Sequence, residues 1–400
     1  MYSVVIIGGG IVGLASALRL KEANPRLKIA VLEKEPQLCA HQTGHNSGVI
    51  HSGLYYKPGS YKAKNCVDGY NQLIRFCEEE EVPYEICGKV VVATRKDQIP
   101  QLQTLGQRGQ KNGLKGLIAL KSKEQLQEFE PHVNGVAGLY VPQTGIIDYE
   151  EVARKYAEKF RHFGGEIFVN NEVKKVRKRS EKLMEVHTNH QTLITHFVIH
   201  CAGLWSDKVA KKSKMKVPYK IIPFRGEYYQ LRPDRQHLVK NLIYPVPDPN
   251  FPFLGVHFTR MIKGGVEAGP NAVLAFKREG YKKSDIHLGQ LAESLTYRGF
   301  QKVAAKYWQT GFGELYRSYS KRAFTKALQK LVPEIRKKDL VPGGAGVRAQ
   351  ACDRNGGLVD DFLILEDDKL LNVGNAPSPA ATSSLAIGAR VAEMAMERMA

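Results

Sequence analysis

The stretch Tyr2-Ser-Val-Val-Ile-Ile-Gly-Gly-Gly-Ile-Val-Gly13 decides the fold of this 400-residue chain. Its first half is short, apolar and rich in β-branched residues, the pattern of a strand buried on both faces. Its second half is G-x-G-x-x-G. Beyond it, Ile11, Leu14, Ala15 and Leu18 recur at helical spacing to about Glu22, and residues 28–32 read as a second strand that closes on Glu33. The result is a βαβ unit with an acid twenty residues past the last glycine, a far more specific pattern than a lone glycine turn. Gly8 permits the tight turn, Gly10 lets backbone amides approach a pyrophosphate, Gly13 brings helix against strand, and Glu33 accepts from ribose hydroxyls. The unit predicts an ADP moiety without choosing between NAD and FAD.

Downstream, the chain does not continue as the alternating strands and helices of a complete NAD-type domain. Residues 89–94 and 138–142 predict strands, and 97–130 read as helical and polar. A helix follows from Asp148, with Asp148 and Glu151 spaced as a capping box and Gly164-Gly165 ending it. Residues 166–169 and 173–176 read as strands that rejoin a sheet. The apolar run 195–203 ends on Ala202-Gly203, with Trp205 and a helix behind it, so a second close backbone approach is expected there. Residues 218–270 are strand-rich and 285–331 helical. Finally, a strand at 369–373 meets the small-residue loop 374–384 and a helix to Met399, a third site, at a helix N-terminus. Nucleotide-type elements therefore stand at the start, middle and end of the chain. The expected fold is α/β: a discontinuous Rossmann-like nucleotide-binding domain (1–88, 145–217 and 340–400) and a mixed α+β substrate domain on a strand-rich sheet (89–144 and 218–339).

Hydrophobic residues make up 43% of the chain, enough for a sizeable core. The first strand starts at once, leaving no room for a signal or transit peptide, and no apolar run approaches a membrane span. A cytoplasmic protein is expected. Cysteines 39, 66, 77, 87, 201 and 352 form no C-x-x-C pair, which suits neither a zinc site nor a disulfide framework, and no metal is expected. The net charge of +19 invites an anionic partner, with basic clusters at Lys174-Lys-Val-Arg-Lys-Arg179, 211–216 and 336–338. No zinc finger or RNA-binding motif accompanies them, so nucleic acid is not expected. Solvated surface is the plain reading, and peripheral contact with the anionic inner face of the cell membrane is the functional one.

The loop His41-Gln-Thr-Gly-His-Asn-Ser-Gly-Val-Ile-His-Ser-Gly-Leu-Tyr-Tyr56 has neither helical nor strand periodicity. Together with Pro223-Phe-Arg-Gly-Glu-Tyr228, Pro252-Phe-Leu-Gly-Val-His257, the run 269–281, Gly346-Val-Arg-Ala-Gln350 and Asn375-Ala-Pro-Ser-Pro-Ala-Ala-Thr-Ser383, it resembles the L-2-hydroxyglutarate dehydrogenase/oxidase family, within the D-amino-acid oxidase type of FAD-dependent oxidoreductase. The likeness spans essentially the whole chain. It implies oxidation of L-2-hydroxyglutarate to 2-oxoglutarate, with non-covalent FAD as hydride acceptor and a quinone or oxygen taking the electrons. It also implies FAD contacts from Thr43, His45, Asn46 and Ser47, from Val173, Ala202, Gly203 and Trp205, and from Asn375, Ala376, Thr382 and Ser383. In that setting the small residues of the opening loop let backbone amides reach the cofactor, while His51 and Tyr55 project toward the substrate. His45 is the alternative, covalent, tether.

Such chemistry needs a cationic clamp for a dicarboxylate, a base for the hydroxyl proton, and stabilisation of negative charge on the reduced flavin. Arg225, beside Gly226, and Arg348, in a loop after Gly343-Gly-Ala-Gly346, are the candidate clamps, because a guanidinium fork matches a carboxylate. A surface salt bridge is the ordinary role of an arginine. Lys277 and Arg278 read more simply as a charged loop. In the strand expected over 253–262, alternation puts His257 on the polar side and Arg260 on the apolar one. His51 and His257 are both candidate bases, unranked, although an isolated histidine is ordinarily structural. Thr382 and Ser383 cap the last helix, whose partial positive charge also suits an anionic flavin. Other readings of the fold are a flavoenzyme acting on glycerol 3-phosphate or an amino acid, an RNA-modifying flavoprotein, and a non-catalytic membrane-surface adaptor.

Overall fold

The computed structural model describes residues 1–248 and 254–399. Strand Tyr2–Ile7 lies inside an eight-stranded sheet, between Ile29–Leu32 and Thr192–His200, both parallel to it. Alternation explains its uninterrupted apolar sequence. Val4 and Ile6 enter one core cluster with helices Ile11–Ala23, Tyr149–His162 and Ser384–Met399, whereas Val5 and Ile7 enter another, beneath the antiparallel strands 173–188 and helix Ser206–Lys212. Gly388 allows the first and last helices to touch, since a Cβ there would lie 2.7 Å from the Ala15 backbone. Strands Glu166–Phe168 and Leu370–Asn375 extend the parallel set. Their carboxyl ends, where ligands bind in open parallel sheets, therefore point the same way.

The second sheet also has eight strands, in the order 340–353, 219–231, 266–274, 257–260, 242–245, 89–93, 137–141 and 118–120. Its two longest, Tyr219–Leu231 and Leu340–Asp353, pair along most of their length. Helices Arg298–Tyr319 and Lys321–Leu328 lie beside it, and Phe324 and Leu328 fill its core with Phe258, Ile243 and Val90.

Several expectations change. The run 97–130 is not continuously helical: Ile118–Leu120 forms an edge strand between helices Ile99–Lys111 and Lys123–Phe129, by pairing with Ala137–Val141. Arg348 lies in a strand rather than a loop. Of the glycines before it, Gly343 permits close pairing, since a Cβ there would come 2.8 Å from the Tyr228 carbonyl oxygen, and Gly346 leaves room for the His45 carbonyl of the opening loop. Because that strand joins the second sheet, residues 340–353 leave the nucleotide-type sheet, whose last strands begin at Leu363. The strand expected over 253–262 spans His257–Arg260, while Pro252 and Phe253 lie outside the described residues. Asp148 caps its helix by accepting from the Glu150 amide, and Glu151 pairs with Arg154 instead of closing a capping box. Among the described residues, no helix is long and apolar enough to cross a membrane.

Candidate active site

A cavity of about 1800 Å³ runs from the carboxyl ends of the parallel strands to the face of the second sheet. Gly8, Glu33, Ala202 and Asn375, each at or just past the end of a parallel strand, line it. Gly8 has φ +118°, and a Cβ on it would lie 2.3 Å from the Cys201 carbonyl oxygen. At Gly13 a Cβ would meet the Gly8 oxygen at 2.0 Å, so this glycine holds helix against strand from behind the cavity wall. A Cβ on Gly10 would meet a single neighbour, the Thr43 hydroxyl, and Gly10 faces the cavity. A bare-backbone cradle at a helix N-terminus fits the phosphates of a dinucleotide, and the volume exceeds what a small acid alone requires. The residues present fit FAD.

The opening loop is built into this cradle. Thr43 Oγ1 accepts from the Ile11 amide at 3.0 Å, which ties the loop to the first helix. Asn46 folds back on itself, donating to the Thr43 carbonyl and accepting from the Gly48 amide. His45 stacks on Tyr281 with ring centroids 4.1 Å apart, and Ser47 also lines the cavity. Gly203, Trp205 and Val173 form a second wall, where the Trp205 indole donates to Glu279 at 2.6 Å. Glu33 takes the Gly9 and Glu35 amides on its two carboxylate oxygens, which orients it at the end of the second strand. Lys34 bridges Glu35 and Glu279 beside His41, occupying the centre of this acidic cluster as a cation would.

On the third wall, Thr382 accepts from the His51 amide at 3.1 Å and shares a 2.7 Å hydrogen bond with Tyr149. Asn375 braces the loop by donating to the carbonyls of Val359 and Asp361, and Ala376 lines the cavity beside it. Ser383 does not reach the cavity: it is fully buried, with its backbone packed where Gly69 leaves room in helix Tyr61–Glu79.

Toward the second sheet, His51, Tyr55, His257 and Arg348 line one continuous space with Tyr56, Tyr228 and Tyr244. His51 Nε2 lies 3.3 Å from the Ser378 hydroxyl. His257 stacks on Tyr244 with centroids 3.9 Å apart, and its Nδ1 lies 2.9 Å from the Gly255 carbonyl, which fixes the ring and leaves Nε2 as the other nitrogen. Burial pushes the imidazole of His51 down to about 3 and that of His257 to about 4, with Lys89 adding to both shifts. Both rings are neutral at neutral pH and able to accept a proton.

Arg225 is not brought to the cavity. In its strand Phe224, Gly226 and Tyr228 line the space, so alternation turns Arg225 to the opposite face, where Nε and Nη2 donate to Glu227 at 3.0 and 2.8 Å. Arg278 is no loose loop residue either. Its guanidinium grips buried Asp207 through two bonds of 2.6 and 2.9 Å and donates to the Leu204 carbonyl, joining the two sheets' domains. The basic cluster 174–179 is largely ion-paired, through Glu172, Glu181 and Glu185.

Two cations escaped the sequence reading. Lys89 begins a buried strand, is 1% exposed, and holds its ammonium 4.5 Å from the Tyr55 ring and 5.0 Å from that of Tyr244. Burial pushes it down to about 7. Its only signal was a lysine opening the apolar run Lys89-Val-Val-Val-Ala93. Lys62 lines the cavity and pairs with Asp360 at 2.9 Å; nothing in its helical context marked it.

A family profile described as FAD dependent oxidoreductase matches residues 3–394. Curated relatives include L-2-hydroxyglutarate dehydrogenase of Indibacter alkaliphilus, 62% identical over 398 residues with 99% of each chain covered. Another is the mitochondrial L-2-hydroxyglutarate dehydrogenase of Homo sapiens, 44% identical, covering 99% of this chain and 89% of the relative. Among solved structures, dithionite-reduced L-alpha-glycerophosphate oxidase of Mycoplasma pneumoniae with FAD bound aligns at TM-score 0.80 and 24% identity, over 99% of this chain and 94% of that one. Glycine oxidase of Geobacillus kaustophilus aligns at 0.75 and 16%, over 99% and 95%. At such identities these two likenesses concern the fold, whereas the curated relatives share sequence from end to end. The chain thus belongs to the FAD-dependent oxidoreductase family, on the branch whose curated members are named L-2-hydroxyglutarate dehydrogenase.

Proposed function

We propose that this protein oxidises L-2-hydroxyglutarate to 2-oxoglutarate. The observation that carries the reading is the meeting, in one cavity, of the glycine cradle with Arg348 and two neutral histidines. The residues of the three walls, from Gly8 and Gly10 through Ala202 and Gly203 to Ala376 and Thr382, would hold FAD without a covalent bond. Bound there, FAD supplies the two-electron acceptor for the hydride leaving Cα. Arg348, aided by Lys62, binds and orients the substrate carboxylates, and Lys89 adds positive potential from behind the aromatic wall. His51 or His257 takes the hydroxyl proton as the carbonyl forms. Tyr55, whose hydroxyl is buried with no hydrogen-bond partner among the described residues, is placed to meet a polar group of the substrate.

The test is anaerobic. The L enantiomer bleaches the flavin and the D enantiomer does not, because a fixed clamp presents one face of Cα. Bleaching by glycerol 3-phosphate or an amino acid in place of L-2-hydroxyglutarate would overturn the assignment. For the oxidative half, electrons pass to a quinone faster than to oxygen; acceptor assays with quinone analogues and peroxide measurement in air decide it.

A further inference from the structure

The helix Arg298–Tyr319 bends at Tyr307, whose φ of −114° and ψ of 22° leave helical geometry. Beyond the bend its amphipathicity is inverted. The inward face is polar: Glu314 is buried, pairs with Arg317 and accepts from the Ala272 amide, and Ser318 donates to Glu227 at 2.6 Å. The outward face is apolar. Trp308, Phe312, Tyr316 and Tyr319 each stand more than half exposed, and Leu315 lies among them. The spacing of four, four and three puts the aromatics on one stripe. Lys283 sits over the Tyr319 ring, 5.0 Å from its centroid, and Trp308 and Phe312 touch each other edge to face, while the stripe stays open to solvent; a helix of a water-soluble domain ordinarily turns such a stripe inward.

The surroundings identify the occupant. Residues 282–322 contain eight lysines and arginines against three acids. Of those acids, Glu293 is held by Lys208 and Glu314 faces inward. Lys283 is taken by Glu227 and the Ser318 carbonyl, and Lys282, Arg298, Lys302, Lys306 and Arg322 remain as an exposed basic rim. A second copy of a chain carrying +19 would bring like charge against like, and lysine is depleted where protein surfaces pair. Tryptophan and tyrosine flanked by basic residues suit the boundary between anionic headgroups and acyl chains.

We propose that the stripe Trp308, Phe312, Tyr316 and Tyr319, with its basic rim, is the surface on which the protein adsorbs to an anionic bilayer. Lys306 and Tyr307, at the bend, line the catalytic cavity, so adsorption sets one wall of that cavity at the membrane, where a lipid-soluble acceptor resides. The surface replaces the ion-paired cluster 174–179 as the membrane face. It does not depend on which substrate is oxidised.

The test uses the FAD-loaded enzyme and vesicles of phosphatidylcholine with or without phosphatidylglycerol. The wild type sediments with the mixed vesicles at low salt, less so at high salt, and its Trp308 emission is quenched by lipids brominated on the acyl chains. The variant Trp308→Ser, Phe312→Ser, Tyr316→Ser binds about ten-fold or more weakly, while its turnover with a soluble dye is unchanged. That dye-linked turnover separates failure of this surface from failure of the proposed reaction. Equal vesicle binding by variant and wild type, or no binding by the wild type at low salt, would overturn the proposal. So would a self-associated form that the variant abolishes, which would give the stripe to a second copy; in a variant that fails to fold, absence of bromolipid quenching in the wild type would do so alone.

Discussion

Arg348 stands directly opposite Phe224 across the ladder between the two long strands of the second sheet, and both residues line the cavity, while Arg225, one position along, is turned away to Glu227. Two arginines that look alike in sequence therefore have separate tasks. Arg348→Ala weakens dicarboxylate binding by about 2–3 kcal/mol, the worth of a charge-assisted pair, read as a raised dissociation constant for flavin reduction. Arg225→Ala leaves that constant near the wild-type value and lowers thermal stability, because a largely buried Glu227 loses two charge-assisted hydrogen bonds and keeps only Ser318 and the longer Lys283 contact.

On the proposed mechanism, in which His51 or His257 is the base, the histidines set the pH behaviour. Both imidazoles are held below their ordinary value, so the neutral, proton-accepting form persists as the pH falls, and it is lost only on passing through the depressed value. Flavin reduction accordingly holds from neutrality to about pH 5 and declines below it. Replacing the base, His51→Ala or His257→Ala, slows reduction roughly 100-fold. Lys89→Met moves the acid limb to higher pH, since one of the cations opposing protonation is gone; stopped-flow reduction across pH reads all three.

Asp207 and Arg278 are both almost wholly inaccessible to solvent and bind each other through two hydrogen bonds. Removing one partner leaves an uncompensated buried charge, so Arg278→Met should destabilise the protein by about 3–5 kcal/mol. Chemical denaturation measures it. A shift below about 1 kcal/mol, the range of exposed pairs, would contradict the buried assignment.

His200, at the end of a central strand and fully buried with Nε2 3.0 Å from the Ser213 hydroxyl, reports on stability away from the catalytic cavity. Burial pushes it down to about 4. The unfolded chain takes up this proton near pH 6.5 and the folded chain does not, so the stability present above pH 6.5 falls as the pH drops toward 4, by on the order of 3 kcal/mol. His200→Gln should flatten that part of the melting-temperature profile.

The sequence by itself determined the local units and their order: the glycine turn between Ile7 and Ile11, the acid at Glu33, the loop 41–56, and the last strand, loop and helix. Each is specified by short-range demands, a positive φ or a bare backbone at Gly8 and Gly13, and a strand apolar on both faces at Tyr2–Ile7. Tertiary structure decided which faces become the cavity. Alternation placed Arg225 and Phe224 on opposite sides of a strand, but only the pairing of 219–231 with 340–353 gave the cavity to Phe224 and Arg348. Of the glycines that read as a loop before Arg348, Gly343 makes room for that pairing and Gly346 for the loop that carries His45. Lys89 was illegible because its burial comes from Tyr55 and Tyr244, distant in sequence. Likewise, the periodicity of residues 308–319 defines an aromatic stripe and not its direction, which was set when Glu314 and Ser318 found polar partners on the second sheet.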